Sequence, residues 1–256
     1  MKVKNVILVL IVLSVSIIVF QSVNWRSGST IEKITITGNY TIPKEEILEA
    51  ARLRDTIMSS EGINIDNIQD RISKHPEIKK VYVSMELPSE LKIEIIERRP
   101  VAILNGENEI KLIDDELEIF PFKNASKMYD LPVISGVRIE NTPNPVKKYN
   151  KDDLRLAVFI ILNAYKESKA AYNNISEVNL SDTSKTVVYL SEDSSPFYFP
   201  RKYRESISNK EYQAILINKL VLFENYLKQK LDSHLRKQVN YVDLRFDNEV
   251  IINSNN

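Results

Sequence analysis

The sequence predicts an α+β protein in three parts: one N-terminal membrane helix, a small domain of order β-α-α-β-β, and a larger mixed α/β domain that closes on a strand. Three observations carry that reading. The run from Val6 to Val23 is apolar apart from Ser14, Ser16, Gln21 and Ser22. Residues 65–97 pass directly from a helical period to two stretches of period two. A long apolar stripe in residues 210–231 is followed by the short alternating segment Tyr241 to Phe246. The divisions that result are a tail at 1–5, a membrane helix at 6–24, a linker at 25–30, a first domain at 31–98 and a second at 99–254.

At about 1.5 Å per residue the apolar run is long enough to cross a hydrocarbon core of about 30 Å. The competing reading is a cleaved signal peptide, but no small-x-small cleavage site follows and the run exceeds the usual apolar core of such peptides. Lys2, Lys4 and the terminal amine precede it and only Arg26 follows closely, which places the amino terminus in the cytoplasm and the domains outside. Trp25 suits the outer interface.

The first domain opens with Ile31, Ile34 and Ile36 spaced by threonines, a strand ended by Gly38-Asn39. Pro43 suits the first position of a helix with Glu45 and Glu46 near its positive end and Ile47, Leu48 and Ala51 on its apolar face. Met58 to Gly62 reads as a polar link. Ile65, Ile68 and Ile72 then mark one face of a second helix that stops near His75-Pro76. Val81, Val83 and Met85 alternate with Tyr82, Ser84 and Glu86, and Leu91, Ile93 and Ile95 repeat the pattern beyond Pro88, which belongs in the connection. Helix, break and hairpin are contiguous, so the helix can lie on the apolar face of the two strands.

In the second domain, Leu112 to Phe120 reads as strand, turn, strand and Asn141 to Asn150 as a loop. Asp152 to Tyr172 reads as one helix, with Leu156, Ile160, Ile161 and Ala164 along one side. Ile175–Leu180 and Lys185–Leu190 form a hairpin by spacing, and Phe197-Tyr198-Phe199 lies in a further strand. Arg201 to Ser208 reads as an insertion or longer loop. The helix from Lys210 to Leu231 carries Leu216, Leu220, Phe223, Leu227 and Leu231 at helical steps.

Composition excludes several classes. Lysine plus arginine equal aspartate plus glutamate at 35 each, so bulk charge favours neither nucleic acid nor an acidic partner. The chain has no cysteine, which removes disulfides, thiol nucleophiles and thiolate metal sites. With five glycines and no GxSxG elbow, phosphate-cradling loops and that type of serine nucleophile have no support. His75 and His234 have no second ligand at metal spacing. Asp114-Asp115-Glu116 invites a paired-carboxylate reading for glycosidic chemistry, but adjacent acids in a turn are more often solvated. No catalytic residue, cofactor or metal is assigned.

ITITGN (Ile34 to Asn39), the helix Ile65 to Ser73, HPEIKKVYV (His75 to Val83) and IERRPVAIL (Ile96 to Leu104) together resemble a POTRA domain. With the anchor before them, LPVISG (Leu131 to Gly136) and VDLRF (Val242 to Phe246), the chain is similar to the FtsQ/DivIB family of bacterial cell-division proteins. Arg98, Arg99 and Pro100 fall at that family's joint between its POTRA and β domains. Two departures stand out. Leu117 stands where the family commonly has a turn glycine, so Leu117 is strained if that turn needs φ > 0, or else the turn is of another type or length. Phe246 replaces a tyrosine.

The resemblance implies a single-pass protein of the bacterial inner membrane, found at the division septum, that recruits FtsL- and FtsB/DivIC-type partners and through them controls septal peptidoglycan synthesis without catalysis. It also implies partner binding at Tyr241, Asp243, Arg245, Phe246 and Val250. By pattern alone, Tyr241 to Phe246 is either an ordinary half-buried strand or a sheet edge open to strand addition, with Tyr241, Asp243 and Arg245 on one side and Val242, Leu244 and Phe246 on the other. The POTRA edge strand is a second expected docking surface. A membrane-anchored envelope enzyme and a POTRA-bearing translocation or assembly factor are the alternatives. The first would need a convergent polar site, and the second a barrel or further POTRA repeats.

Overall fold

The structure, a computed structural model, describes residues 11–20, 30–53, 58–59, 64–86, 89–106, 109–122, 129–140, 148–202, 206–232, 239–247 and 249–254. Residues 11–20 form a helix, α1, and the remainder of the expected membrane span, Trp25 and most of the linker lie outside the described residues. Among the described residues no helix is long and apolar enough to cross a membrane. The chain divides into two compact units, Met1–Arg98 and Arg99–Asn256.

The first unit runs β1 (Thr30–Ile31), β2 (Lys33–Thr37), α2 (Lys44–Ala51), β3 (Met58–Ser59), α3 (Ile65–Ser73), β4 (Ile78–Glu86) and β5 (Glu90–Glu97). Its three-stranded sheet has the order β2-β5-β4, with β2 parallel and β4 antiparallel to β5. Leu91, Ile93 and Ile95 are buried with Ile47, Ile68 and Ile72, so α2 and α3 close the apolar face as the alternation requires. Asn64 caps α3 through the amide of Asn67 at 3.0 Å. Gly38 has φ +82, and a Cβ there would lie 2.0 Å from the Ile95 carbonyl oxygen, so only glycine fits. Two expectations need correction. Pro43 is the N-cap of α2 and not its first residue. Met58 and Ser59 are not simply a link, because they pair with Ile31 and Thr30 as a short antiparallel ladder. Leu87 and Pro88, the expected connection, lie outside the described residues.

The second unit contains β6 (Pro100–Asn105), β7 (Ile110–Asp114), β8 (Ile119–Pro121), β9 (Val133–Ser135), β10 (Ile139–Glu140), β11 (Lys148–Tyr149), α4 (Lys151–Glu167), α5 (Lys169–Asn173), β12 (Ile175–Asn179), β13 (Lys185–Leu190), β14 (Pro196–Pro200), α6 (Lys210–Asp232), β15 (Val239–Asp243) and β16 (Ile251–Ser254). Nine of these strands form one mixed sheet of order β16-β15-β14-β13-β12-β9-β6-β7-β8. Cross-strand register lines up Leu104, Ile134, Val178, Val188, Phe197 and Val242 in a single row. All six are fully buried, and α4 and α6 close over them with Ile160, Leu216, Leu220 and Phe223.

Four expectations are changed or decided here. The helix read over 152–172 is broken at Ser168, whose extended backbone ends α4 while its hydroxyl caps α5 through the amide of Ala171. The end of the expected 141–150 loop is ordered, since Lys148–Tyr149 pairs with Ile139–Glu140; residues 141–147 lie outside the described residues. The turn after β7 keeps its left-handed position: Leu117 has φ 65, and Asp114 stabilises the turn by accepting from the amides of Glu116 and Glu118. Of the two outcomes open for this turn, the structure has the strained one, with Leu117 in the left-handed region. Finally, the loop read over 201–208 begins with an anchored residue, while residues 203–205 lie outside the described residues. Arg201 is buried, and its guanidinium donates to the carbonyls of Leu180 and Asp182 at 2.6 Å and to Asp153 at 2.7 Å.

Among the described residues one buried side-chain group is unsatisfied. Thr186 on β13 is fully buried and its hydroxyl has no hydrogen-bond partner among the described residues. A buried unpaired hydroxyl costs about 1–3 kcal/mol on mutational scales. Thr186→Val keeps the shape and the β-branch, so it is expected to raise stability by about 1 kcal/mol, read as a higher urea midpoint at unchanged slope.

Candidate functional site

The end of the sheet carrying β14, β15 and β16 is built outward from α6. The stripe of α6 buries Phe223 against Phe197 and Phe199, with ring centroids 4.8 and 6.1 Å apart, and Tyr226 also meets Phe197 at 5.2 Å. Those contacts fix β14. Strand β15 then pairs in parallel with β14, placing Val242 beside Phe197 and Asp243 beside Tyr198. This strand is two to three residues shifted from the expected Tyr241–Phe246: it ends at Asp243, and the Leu244 amide makes a last backbone bond to the Tyr198 carbonyl at 2.9 Å before the chain leaves the sheet.

Strand β15 is also not the edge. Strand β16 pairs antiparallel with it, Ile252 opposite Val242 and Ile251 opposite Asp243, and takes the outermost place. Ile252 continues the buried row, yet it is 51% exposed, and Ile251 is 41% exposed. Every residue of β16 is exposed on whichever face it lies. Phe246 and Val250, in the connection between the strands, are 46% and 39% exposed. An outermost strand with apolar side chains on both faces is the kind of edge to which another strand can add.

The face away from the helices is polar and aromatic at this end. Tyr241 stacks on Tyr198 at 5.2 Å with an interplanar angle of 17°. The Lys185 ammonium lies 4.3 Å from the Tyr198 ring centre, and the Arg245 guanidinium is 5.8 Å from Tyr198 and 5.9 Å from Phe246. Asp243 is buried and engages Arg245 as a fork: Oδ1 accepts from the backbone amide at 3.0 Å and from Nε at 2.9 Å, and Oδ2 accepts from Nη2 at 2.6 Å. Burial pushes the Asp243 carboxyl up, and its bonds to Arg245 outweigh this, leaving it below the usual carboxylate range. Hydrogen bonding to Asp243 raises Arg245 in turn.

The five residues expected at the site therefore fall into two groups. Tyr241, Asp243 and Arg245 share the open face, where Asp243 orients Arg245 and Tyr241 braces Tyr198. Phe246 and Val250 belong to the exposed connection, and Phe246 does not continue the buried face of Val242 and Leu244. Arg98 and Arg99 lie between β5 and β6, outside both, and Pro100 begins β6 opposite Asp114. Ile251, Ile252 and Lys219 were not expected at the site. Lys219 had a signal, as a lysine inside the apolar stripe three residues after Leu216.

Other candidates are absorbed by the fold. His75 Nε2 lies 2.9 Å from Glu46, and its Nδ1 accepts from the Glu77 amide at 3.3 Å. Asp114 serves its turn. Among the described residues no group of three or more histidines or acids is placed to hold a metal ion.

Residues 29–98 match the family model for the FtsQ-type POTRA domain, and residues 102–245 match the model for the C-terminal part of the cell division protein FtsQ/DivIB. The second match alone covers more than half the chain. The chain belongs to the FtsQ/DivIB family. Among its relatives, Cell division protein FtsQ of Koribacter versatilis is 24% identical over 235 residues, 90% of this chain and 62% of that protein. FtsQ of Geotalea daltonii is 29% identical over 111 residues, covering 43% and 40%. FtsQ of Rickettsia bellii is 34% identical over 89 residues, covering 35% and 33%. The aligned part thus spans from a third to about three fifths of these relatives. In this FtsQ/DivIB chain the matched region stops at Arg245, so Phe246, Val250 and β16 lie beyond it.

Proposed function

We propose that this cell-division protein is a non-enzymatic scaffold of the bacterial inner membrane, anchored by one helix with its amino terminus in the cytoplasm and its POTRA and C-terminal domains outside. At the septum it binds FtsL- and FtsB/DivIC-type single-pass proteins and through them helps control septal peptidoglycan synthesis. Docking is strand addition to β16, with Phe246, Val250, Ile251 and Ile252 as apolar contacts and Arg245, held by Asp243, beside them. The observation that supports it is the place of β16: outermost in a nine-stranded sheet, exposed throughout, and apolar at Ile251 and Ile252. Main-chain bonds would supply affinity in such a mode and side-chain contacts specificity.

Phe246→Glu puts a charge into the apolar contact without touching the core, since Phe246 is about half exposed. The full-length variant, extracted gently from its own membranes, is expected to fold as the wild type and to lose the small coiled-coil membrane proteins that co-purify with the wild type, read by mass spectrometry. Retained partners, or loss of folded protein, would count against the assignment.

A further inference from the structure

Lys219 sits in the core stripe of α6, between Leu216 and Leu220, and is 4% exposed. Burying an ammonium is costly unless it is hydrogen-bonded. Here Nζ donates to the backbone carbonyl of Phe246 at 2.6 Å. That carbonyl lies three residues beyond the end of β15, where the chain turns back toward β16. Strand β16 pairs only with β15 among the described strands, and all four of its residues are exposed, so no packed layer holds it.

We infer that Lys219 is a positioning residue for the docking edge: it fastens the Phe246 carbonyl to α6 and so fixes the turn that carries Phe246 and Val250 and launches β16. The inference rests on the strand-addition reading of β16. Its physical content is preorganisation. An edge strand already held in register loses less conformational freedom when a partner strand adds, and affinity rises by that difference. A buried lysine is suited to the task because its long stem packs along the stripe while its head reaches one defined acceptor. The phenyl ring of Phe246 stays about half exposed beside the Arg245 guanidinium.

Lys219→Met keeps the stem and removes the donor. Two measurements on the full-length protein test it. Hydrogen exchange is expected to quicken about tenfold or more at the amides of 249–254, with β12 and β13 unchanged. Capture of a synthetic peptide copying the extracytoplasmic end of the FtsB/DivIC-type protein from the same genome is expected to weaken about tenfold, equivalent to about 1.4 kcal/mol. Unchanged exchange at 249–254 overturns the inference. So does faster exchange throughout, or failure to fold, because Lys219 would then serve the core. Proline variants at Ile252 and Asn253 separate the two claims. If one of them abolishes capture while Lys219→Met, despite faster local exchange, leaves it intact, the positioning role fails and the docking reading stands. If neither proline variant affects capture, the docking reading fails, and the positioning role for docking fails with it.

Discussion

Asp153→Asn is expected to lower the stability of the second unit by about 3–5 kcal/mol, the usual cost of removing one member of a buried ion pair. Asp153 is 2% exposed at the start of α4. Its Oδ1 accepts from Arg201 Nη2 and Arg138 Nη2, both at 2.7 Å, and its Oδ2 accepts from Arg138 Nε at 2.8 Å and from the Arg138 amide at 3.1 Å. Arg201 has a side chain only 3% exposed, so the variant strands a buried guanidinium against a neutral amide. The same carboxylate gives the expected pH dependence. Burial pushes Asp153 up, but the Arg138 hydrogen bonds and the Arg201 charge outweigh it and hold it below the ordinary carboxylate value. A lowered native value means that its contribution is complete above the unfolded value of about 4 and is lost as pH falls through the native one. Urea titrations of wild type and Asp153→Asn at neutral and acid pH should therefore converge as the pH falls. A constant gap would show that this carboxylate does not titrate differently in the two states.

The second large effect is on binding. In an antiparallel strand successive N–H groups point to opposite edges, so of Ile252 and Asn253 one donates toward β15 and the other away from it. Proline at the outward position removes a donor that an added strand needs and places its ring in that strand's path. Tested separately, the proline whose N–H faces outward is expected to abolish partner capture with little loss of stability. The other should loosen β16 from β15 and weaken both. Two variants with wild-type capture would leave strand addition without support.

The fold of the two units was partly legible in the chain. The β4–β5 hairpin was readable because each strand has one buried and one wet face, so the period-two pattern is printed along it. The α6 stripe was readable for the corresponding helical reason. Strand β16 was not. Its residues are exposed on both faces, so Ile251-Ile252-Asn253-Ser254 carries no alternation, and Tyr241 to Phe246 looked like the last strand and hence the edge. The break at Ser168 was hidden for a similar reason, since Ala170, Ala171 and Tyr172 continue a helical composition across it. Leu117 shows a different limit: a positive φ on a branched side chain is a local exception imposed by the turn that Asp114 closes, and residue type argues against it. At the site, Asp243 and Arg245 were rightly placed on one face, but their closure into a pair with each other required coordinates.

The most direct test of the docking edge is site-specific photo-crosslinking in living cells, with a photoreactive residue replacing Asn253 on β16 or, as a control, Ile110 on β7 at the far end of the sheet. Strand addition at β16 should give a covalent adduct from Asn253 to a small single-pass division protein and none from Ile110. Adducts from Ile110 with none from Asn253 would contradict it.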